Sequence, residues 1–319
     1  MTRWIGTFGT LLLIAAGASI LQPAQAVAAE RVVIAEDFTA TWCTYCPYAG
    51  RALNRMMNEM PTTFTCIQIH GGDAYTISWG STRETFYGVS GYPTAWFDGQ
   101  NGAVGAYTND LSQYNWYLSL YNTCRARPTD VVLEVGGEPV SGQTYRITAR
   151  VGVEPTGTAK TVKLYFAHVL DYYPYAADNR YRNCLRTPGV TTSVVTLQPG
   201  QPQEISKSFT FDATSWANQS NIKIIVWAQV NNLYAPAAIH NAYSLNWPFQ
   251  PLPPLYQRGD LNCDGIVNFD DIDPFVLALN GQAGYEAAFP NCAYTNADCN
   301  NDQAVNFDDI DAFVALLAG

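Results

Sequence analysis

Charged side chains are scarce in this sequence. Asp, Glu, Lys and Arg make up only 14% of the 319 residues, against roughly a quarter in an average soluble domain. No run of basic residues occurs, which argues against a nucleic-acid partner because such proteins need a positive footprint. Beyond residue 30 no apolar run approaches the roughly 20 residues that cross a bilayer, so no membrane span is expected.

Basic residues are absent altogether from residues 259–319, which contain eleven Asp or Glu. The remaining residues hold 16 acidic and 17 basic side chains and are nearly neutral. The net charge of −10 therefore belongs to one C-terminal module. Acidity concentrated in this way favours cation binding by that module.

The N-terminus has the pattern of a secretory signal peptide over residues 1–26. Arg3 gives a positive start, Leu11 to Leu21 form an apolar core, and Ala24-Gln25-Ala26 fits the cleavage pattern. A membrane anchor is the alternative, but the apolar stretch is short and Pro23 ends it. Together with eight cysteines, this predicts an exported protein that is periplasmic, cell-surface or extracellular and forms disulfides.

Changes in composition divide the rest of the chain into a multidomain arrangement. Residues 30–127 alternate between strand and helix patterns and predict an α/β domain. Residues 128–247 consist of short β-branched and aromatic runs between turn residues, which predicts an all-β sandwich. Residues 248–258 are rich in proline and predict a stiff linker. Residues 259–319 form a small helical module.

Local signals place several elements in the first domain. Tyr48 to Met60 has helical periodicity, and Phe64 to His70 alternates as a strand. Ser81 and Glu84 have the spacing of a capping box, which predicts a helix start near residue 81.

The redox motif is Cys43-Thr44-Tyr45-Cys46, between a predicted strand and a predicted helix. Free N–H groups at a helix start and the helix dipole stabilise a thiolate. Cys43 at the helix mouth is therefore the candidate nucleophile. Cys46 is the candidate resolving thiol, which would break a mixed disulfide.

This region resembles the thioredoxin superfamily. Asp37 stands six residues before Cys43, and Trp42 directly before it. The segment Gly91-Tyr-Pro-Thr94 resembles the loop in which that family places a cis-proline opposite the CxxC. The resemblance implies a redox-active disulfide with no organic cofactor and a protein thiol or disulfide as substrate. It also implies that Asp37 is a buried acid that handles protons and that Pro93 helps to bind the substrate chain.

A second resemblance covers both predicted domains. Val33 to Cys43, followed by a β-domain, is similar to bacterial envelope proteins that join a thioredoxin-like to an immunoglobulin-like domain. Arg182 to Arg186 and Ile224 to Gln229 are similar to segments of that second domain. The resemblance implies an immunoglobulin-like sandwich for residues 128–247.

Other interpretations of these residues remain open. The CxxC could be half of a zinc site or an inert structural disulfide. Cys66 and Cys124 could form a disulfide, although sequence cannot fix connectivity. His70 could lie near the redox site but is more simply a packing histidine. The loop Tyr172 to Tyr175 could touch a ligand, although packed loop tyrosines are commoner.

The C-terminal module contains an internal repeat. Val267 to Val276 recurs as Val305 to Val314 with nine of ten positions identical. Each copy completes a twelve-residue loop with oxygen donors at positions 1, 3, 5, 7, 9 and 12, the spacing of an EF-hand calcium site. The candidate ligands are Asp260, Asn262, Asp264, Ile266 (carbonyl), Asn268 and Asp271 in the first loop, and Asp298, Asn300, Asp302, Ala304 (carbonyl), Asn306 and Asp309 in the second. Two Ca²⁺ sites are expected, although an Asp- and Asn-rich tail without metal is the alternative.

Asp at position 12 and a single following helix resemble dockerin type I modules. The resemblance implies a cohesin-like partner contacted through positions 10 and 11 of each loop. Those positions are Phe269 and Asp270 in the first loop and Phe307 and Asp308 in the second.

Two functions from different classes therefore compete. One is an exported thiol–disulfide oxidoreductase that is localised by a calcium-binding dockerin-like module. The other is a non-enzymatic surface or scaffold protein whose CxxC is structural and which is linked to polysaccharide-degrading assemblies. Glycan hydrolysis itself lacks a paired-carboxylate motif outside the acidic module.

Overall fold

A computed structural model describes residues 29–175, 177–178, 180–252, 257–264, 266–290, 292–302 and 304–317. The predicted signal peptide at residues 1–26 lies outside these ranges. The strands are β1 Val33–Thr39, β2 Phe64–His70, β3 Thr94–Phe97, β4 Asn101–Val104, β5 Val131–Ser141, β6 Thr144–Val153, β7 Lys160–Leu170, β8 Cys184–Leu197, β9 Gln203–Thr210, β10 Ile222–Val230 and β11 Ile239–Asn246. The helices are α1 Cys46–Glu59, α2 Ser78–Tyr87, α3 Asp110–Arg125, α4 Ala213–Ala217, α5 Ile272–Leu279, α6 Gln282–Ala288 and α7 Ile310–Leu317.

The largest feature is a mixed sheet of eight strands in the order β11-β10-β7-β8-β2-β1-β3-β4. β1 and β2 are parallel, and β1 and β3 are antiparallel. The two predicted domains meet inside this sheet, where β2 and β8 pair in parallel at Gln68 and Cys184. The protein is thus mixed α/β, with one sheet that runs through both predicted ranges.

The part formed by β1 to β4 is covered on both faces by helices. Alternation along β1 sends Val33 and Ala35 to one face, where they pack under α1 and α3. Ile34 and Phe38 point to the other face and pack with α2 residues such as Tyr87. The predicted strand at Phe64 to His70 is confirmed.

The second part is a two-layer β structure. A three-stranded sheet in the order β5-β6-β9 packs against β7, β8, β10 and β11. The buried core between the layers includes Ile147, Val151, Phe166, Phe209 and Val226. β-Branched and aromatic residues at alternate positions form it, as expected for a sandwich.

The two parts share a hydrophobic core. Ile34 and Ile67 from the first part pack in one cluster with Tyr165, Ile225 and Trp227 from the second. Trp227 and Tyr165 stack in parallel, with ring centroids 4.8 Å apart. Burial of this apolar surface joins the two parts.

The predicted linker is partly packed. Phe249 is buried in the sandwich core, and the Gly137 N–H donates to the Gln250 carbonyl at 2.8 Å. Gly136 lies so close to Leu252 that a Cβ there would be 2.2 Å from its nitrogen. The first residues of the segment therefore extend the sandwich.

The C-terminal module has its own small core. Phe275 of α5 and Phe313 of α7, which are equivalent in the repeat, stack with centroids 4.1 Å apart. Leu261, Tyr285 and Ala297 are buried beside them. The stacked pair lies where the two repeats meet.

The predicted helix at Tyr48 to Met60 is confirmed, although α1 begins two residues earlier, at Cys46, and ends at Glu59. The predicted capping box was wrong. α2 begins at Ser78 after Ile77, without any side-chain cap, so Ser81 and Glu84 form no capping box. The Glu84 carboxylate instead accepts the Tyr92 hydroxyl, a tertiary contact that local spacing does not reveal.

Candidate functional site

The CxxC pair lies between the end of β1 and the first residue of α1. Cys43 and Cys46 form a disulfide with their Cα atoms 5.4 Å apart. The backbone N–H of Cys46, the first residue of the helix, donates to the Cys43 sulfur at 3.1 Å. This is the contact that would stabilise a Cys43 thiolate after reduction.

The two cysteine residues differ only slightly in exposure to solvent. Cys43 is 7% exposed and Cys46 is 3% exposed. Trp42 is 64% exposed beside them. The pair thus lies in a recess at the surface, and Cys43 is the more accessible of the two.

The Tyr92–Pro93 turn lies against the disulfide. Tyr92 packs on the cluster of Ala40, Cys43 and Cys46, and its ring centroid lies 5.8 Å from that of Trp42. The Tyr92–Pro93 bond is cis, the isomer that the thioredoxin resemblance implied. Pro93, predicted from sequence, therefore directly follows the residue that packs on the CxxC.

Asp37 is fully buried in β1. It lies on the same face of the strand as Val33 and Ala35, beneath α1. Burial raises the pKa of Asp37 to about 7, and a hydrogen bond from Gln68 opposes the rise. Asp37 can therefore gain or lose a proton near neutral pH, as a group that handles protons must.

Asp73 anchors the CxxC loop, and sequence reasoning missed it. Its Oδ2 accepts the Thr41 N–H at 2.8 Å and lies 2.7 Å from Nδ1 of His70. The Trp42 indole donates to the Gly72 carbonyl at 3.0 Å. These bonds fix the backbone just before Cys43.

His70 lies at the end of β2 and is buried. It stacks on Tyr181, and Tyr75 meets it edge-on. Burial lowers the pKa of His70, so the neutral ring is favoured at pH 7. The histidine is thus a packed residue that adjoins the redox loop through Asp73.

The aromatic loop Tyr172 to Tyr175 packs against Tyr75, which contacts His70. Tyr75 meets Tyr173 and Tyr175 edge-on, with centroids 5.4 Å and 6.3 Å apart. Tyr175 also meets Tyr181. The loop of the sandwich therefore shields His70 through ring contacts.

A segment of the sandwich part, Arg180 to Asn183, also contacts the part formed by β1 to β4. Arg182 is buried and holds Asp171 with two hydrogen bonds of 2.7 Å and 3.0 Å. It also donates to Asn54 and Asn58 of α1 at 2.7 Å and 3.2 Å. These bonds tie the segment to the helix that carries Cys46.

Gly50 of α1 allows the segment to approach. A Cβ on Gly50 would lie 2.4 Å from the Arg180 carbonyl oxygen. Ala usually stabilises a helix by about 1 kcal/mol over Gly, but here the collision involves backbone. We therefore expect Gly50→Ala to lower the free energy of unfolding by about 1–3 kcal/mol in urea titrations.

Gly284→Ala provides the matched control. A Cβ on Gly284 of α6 would meet its nearest atom at 3.9 Å, which is ordinary contact. This variant should be neutral or more stable. Equal responses of the two variants would contradict the packing argument.

The other cysteines do not follow the suggested pairing. Cys66 and Cys124 are both free and buried. The Cys66 thiol contacts the Met57 sulfur at 3.2 Å, and the Cys124 sulfur accepts Asn101. The suggested Cys66–Cys124 disulfide is therefore absent from the structure. Cys263 pairs instead with Cys292.

The two candidate calcium loops have nearly the same geometry. The N–H of Asn268 donates to Asp271 at 2.9 Å, and that of Asn306 to Asp309 at 2.9 Å. Each of the two pairs forms a capping box. The loops thus repeat in structure as well as in sequence.

The candidate ligands of these loops can each offer an oxygen atom, which suits Ca²⁺. Asp260, Asp271, Asp298 and Asp309 are buried, Asn262 is half-buried, and Asp264, Asn300 and Asp302 are exposed. Within the described ranges, which omit Gly265 and Gln303 at position 6, no group of three His, Cys, Asp or Glu is gathered as for a metal ion. The donor types fit calcium, and the sites remain a prediction.

Positions 10 and 11 of the loops lie on the surface. Phe269 is 76% exposed and Phe307 is 75% exposed. Asp270 and Asp308 are exposed beside them. The repeat therefore presents the same aromatic and acidic pair twice.

Comparisons with known proteins bear on the fold. No protein-family model matches the sequence, and no curated protein matches it. The described helices include none that is both long and apolar enough to cross a membrane.

Two solved structures are similar. HBP35 of Porphyromonas gingivalis superposes with a TM-score of 0.53 and 16% identity, over 70% of this chain and 77% of that chain. Protein AGR_C_4864 from Agrobacterium tumefaciens gives a TM-score of 0.46 and 19% identity, over 69% of this chain and 96% of that chain. The second score is too low to support an argument. The first likeness shows a shared fold with HBP35 and nothing further.

Proposed function

We propose that the protein is an exported thiol–disulfide oxidoreductase in which Cys43 is the nucleophile and Cys46 the resolving thiol. The observation that carries the proposal is the hydrogen bond from the helix-start N–H of Cys46 to the Cys43 sulfur. It supplies stabilisation for a thiolate at the more exposed cysteine of the pair. Tyr92 packs against the pair, and Asp37 lies on the face of β1 that α1 covers.

The reaction transfers two electrons between two pairs of sulfur atoms. In the reducing direction, the Cys43 thiolate attacks a substrate disulfide, forms a mixed disulfide and releases one substrate thiolate. Asp37 takes the proton of Cys46. The Cys46 thiolate then attacks Cys43, which restores the Cys43–Cys46 disulfide and releases the second substrate thiolate. The same steps in reverse oxidise a substrate dithiol.

Insulin reduction in the presence of dithiothreitol tests the proposal. Wild type should accelerate insulin precipitation, and Cys43→Ser should fall to the rate of dithiothreitol alone. Cys124→Ser makes the same chemical change outside the motif and should keep the wild-type rate if circular dichroism shows it folded. Equal rates for wild type and Cys43→Ser would overturn the proposal and leave a structural disulfide.

We further propose that the C-terminal module binds two Ca²⁺ ions and localises the enzyme. The support is the congruence of the two loops and the repeated exposure of Phe269 and Phe307. In the first loop Asp260 and Asp271 would hold the ion with the Asn262, Asp264 and Asn268 side chains. Phe269 and Phe307 would contact a cohesin-like partner.

Calcium titration of the full chain checks the module. Calorimetry should give two sites for wild type and one for Asp309→Asn. At a free Ca²⁺ concentration 100-fold above Kd, each occupied site should add about 2.7 kcal/mol of stability to the module. Asp311→Asn, an exposed helix position outside the loop donors, should keep both sites. Absence of heat and of any shift in melting would show that the tail does not bind calcium.

A further inference from the structure

The Gln68 side chain hydrogen-bonds both Asp37 and the sandwich segment Arg180 to Asn183. It lies opposite Asp37 in the parallel pairing of β1 and β2, and both residues are buried. Its Nε2 donates to Asp37 Oδ2 at 3.2 Å and to the Arg180 carbonyl at 2.9 Å. Its Oε1 accepts the Arg182 N–H at 2.8 Å.

These bonds fix which end of the amide faces Asp37. Because Oε1 accepts a backbone N–H from Arg182, the opposite end must present the NH₂ group. The Gln68 N–H also donates to the Asn183 carbonyl at 3.1 Å. Three backbone groups of the sandwich segment therefore hold Gln68 with a donor toward Asp37.

Apart from the Gln68 amide, no side chain in the described ranges is seen to donate a hydrogen bond to Asp37. Asp37 Oδ1 makes no hydrogen bond with any residue in the described ranges. Tyr117 of α3 and Cys66 of β2 are the titratable groups nearby, and burial raises the pKa of each. Beyond Cys66, Asp171 pairs with both Arg182 and Lys223. On β3 the residue paired with Asp37 is Ala95.

We propose that Gln68 is a positioning residue that sets the protonation of Asp37, and that the β-sandwich segment 180–183 holds it in place. The sandwich then becomes a working part of the redox site. The inference deepens the proposed oxidoreductase function and rests on it. It assigns a role to a residue and to a part of the chain that the CxxC motif alone does not identify.

Opposite charges at position 68 test the proposal. Lysine at 68 would place a cation beside Asp37, and glutamate would place a second carboxyl there. A neighbouring charge moves a carboxyl titration by about one pH unit or more. In the oxidised protein, the carbon-13 NMR titration midpoint of Asp37 should therefore fall in Gln68→Lys and rise in Gln68→Glu. If one variant fails to fold, Gln68→Met should still raise the midpoint because the donor is lost.

Activity provides the second readout. The pH profile of insulin reduction should move in the same direction as the Asp37 midpoint in each variant. The same substitutions in an Asp37→Asn background should leave the profile in place. A merely structural role of Gln68 would lower the rate without opposite shifts.

The outcomes separate the two claims. If wild type reduces insulin but the Asp37 midpoint stays fixed, or moves in one direction for both charges, the positioning role is overturned. If wild type is inactive while the midpoint moves in opposite directions, the oxidoreductase function fails and the electrostatic link between Gln68 and Asp37 stands.

Discussion

Asp37→Asn should remove a pH-dependent loss of stability that wild type suffers between pH 4 and pH 8. Burial raises the pKa of Asp37 from its ordinary 3.8 to about 7. The folded protein therefore favours the protonated acid. Its contribution to stability is fully present below the unfolded pKa and is lost as pH rises through the folded one. At pH 8 wild type buries a carboxylate that the Asn variant does not.

The size of the effect follows from the shift. A rise of this extent corresponds to about 2–4 kcal/mol between the two ends of the pH window. An amide side chain can still accept the Gln68 donor through its oxygen, so the shape of the site is kept. Urea unfolding of both oxidised proteins at pH 4, 6 and 8 measures the difference. The stability of Asp37→Asn relative to wild type should increase by about that amount from pH 4 to pH 8.

The comparison carries its own control, since every other titrating group is common to the two proteins. Parallel stability curves across this pH range would show that Asp37 is not held as a neutral acid. The role of Asp37 in accepting the Cys46 proton would then lose its basis.

The elements nearest the CxxC were the most predictable from sequence. The strand Phe64 to His70 follows from alternation, and the burial of Asp37 and the cis Tyr92–Pro93 bond agree with what the family resemblance implied. These features depend on short stretches of chain. Periodicity and motif spacing therefore report them well.

Contacts across the sheet were not predictable. Nothing in the residues around Gln68 shows that its amide meets a segment more than one hundred positions away. The Ser81 and Glu84 spacing suggested a cap, yet Glu84 bonds Tyr92 instead. In each case a tertiary partner outcompetes the local bond. The pairing of β2 with β8, which brings the sandwich close to Asp37, likewise depends on residues that are distant in sequence.

Glu36→Gln should be among the most destabilising conservative changes in the protein. Glu36 of β1 is fully buried, and Arg83 of α2 is nearly so. Arg83 donates to the two Glu36 carboxylate oxygens at 2.6 Å and 2.8 Å. It also donates at 2.7 Å to Gln229 of the sandwich strand β10. The ion pair thus joins the first part of the chain to the second.

An amide at position 36 keeps the shape but leaves the guanidinium without its counter-charge. Loss of one partner of a buried pair costs about 3–5 kcal/mol, because the other charge stays desolvated. Urea unfolding at pH 7 measures the loss. Glu138→Gln is the matched control, because Glu138 pairs with Arg146 at the surface, where a pair contributes at most about 1 kcal/mol.

A double variant separates charge from packing. If the cost of Glu36→Gln comes from the stranded Arg83 charge, adding Arg83→Met should lose less stability than the two single changes summed, by about 1 kcal/mol or more. Additive losses would mean that Glu36 and Arg83 act independently through their other partners. The buried pair would then not be what couples the α/β part to the sandwich, and the shared apolar core around Trp227 and the hydrogen bonds of Arg182 and Gln68 would carry that coupling.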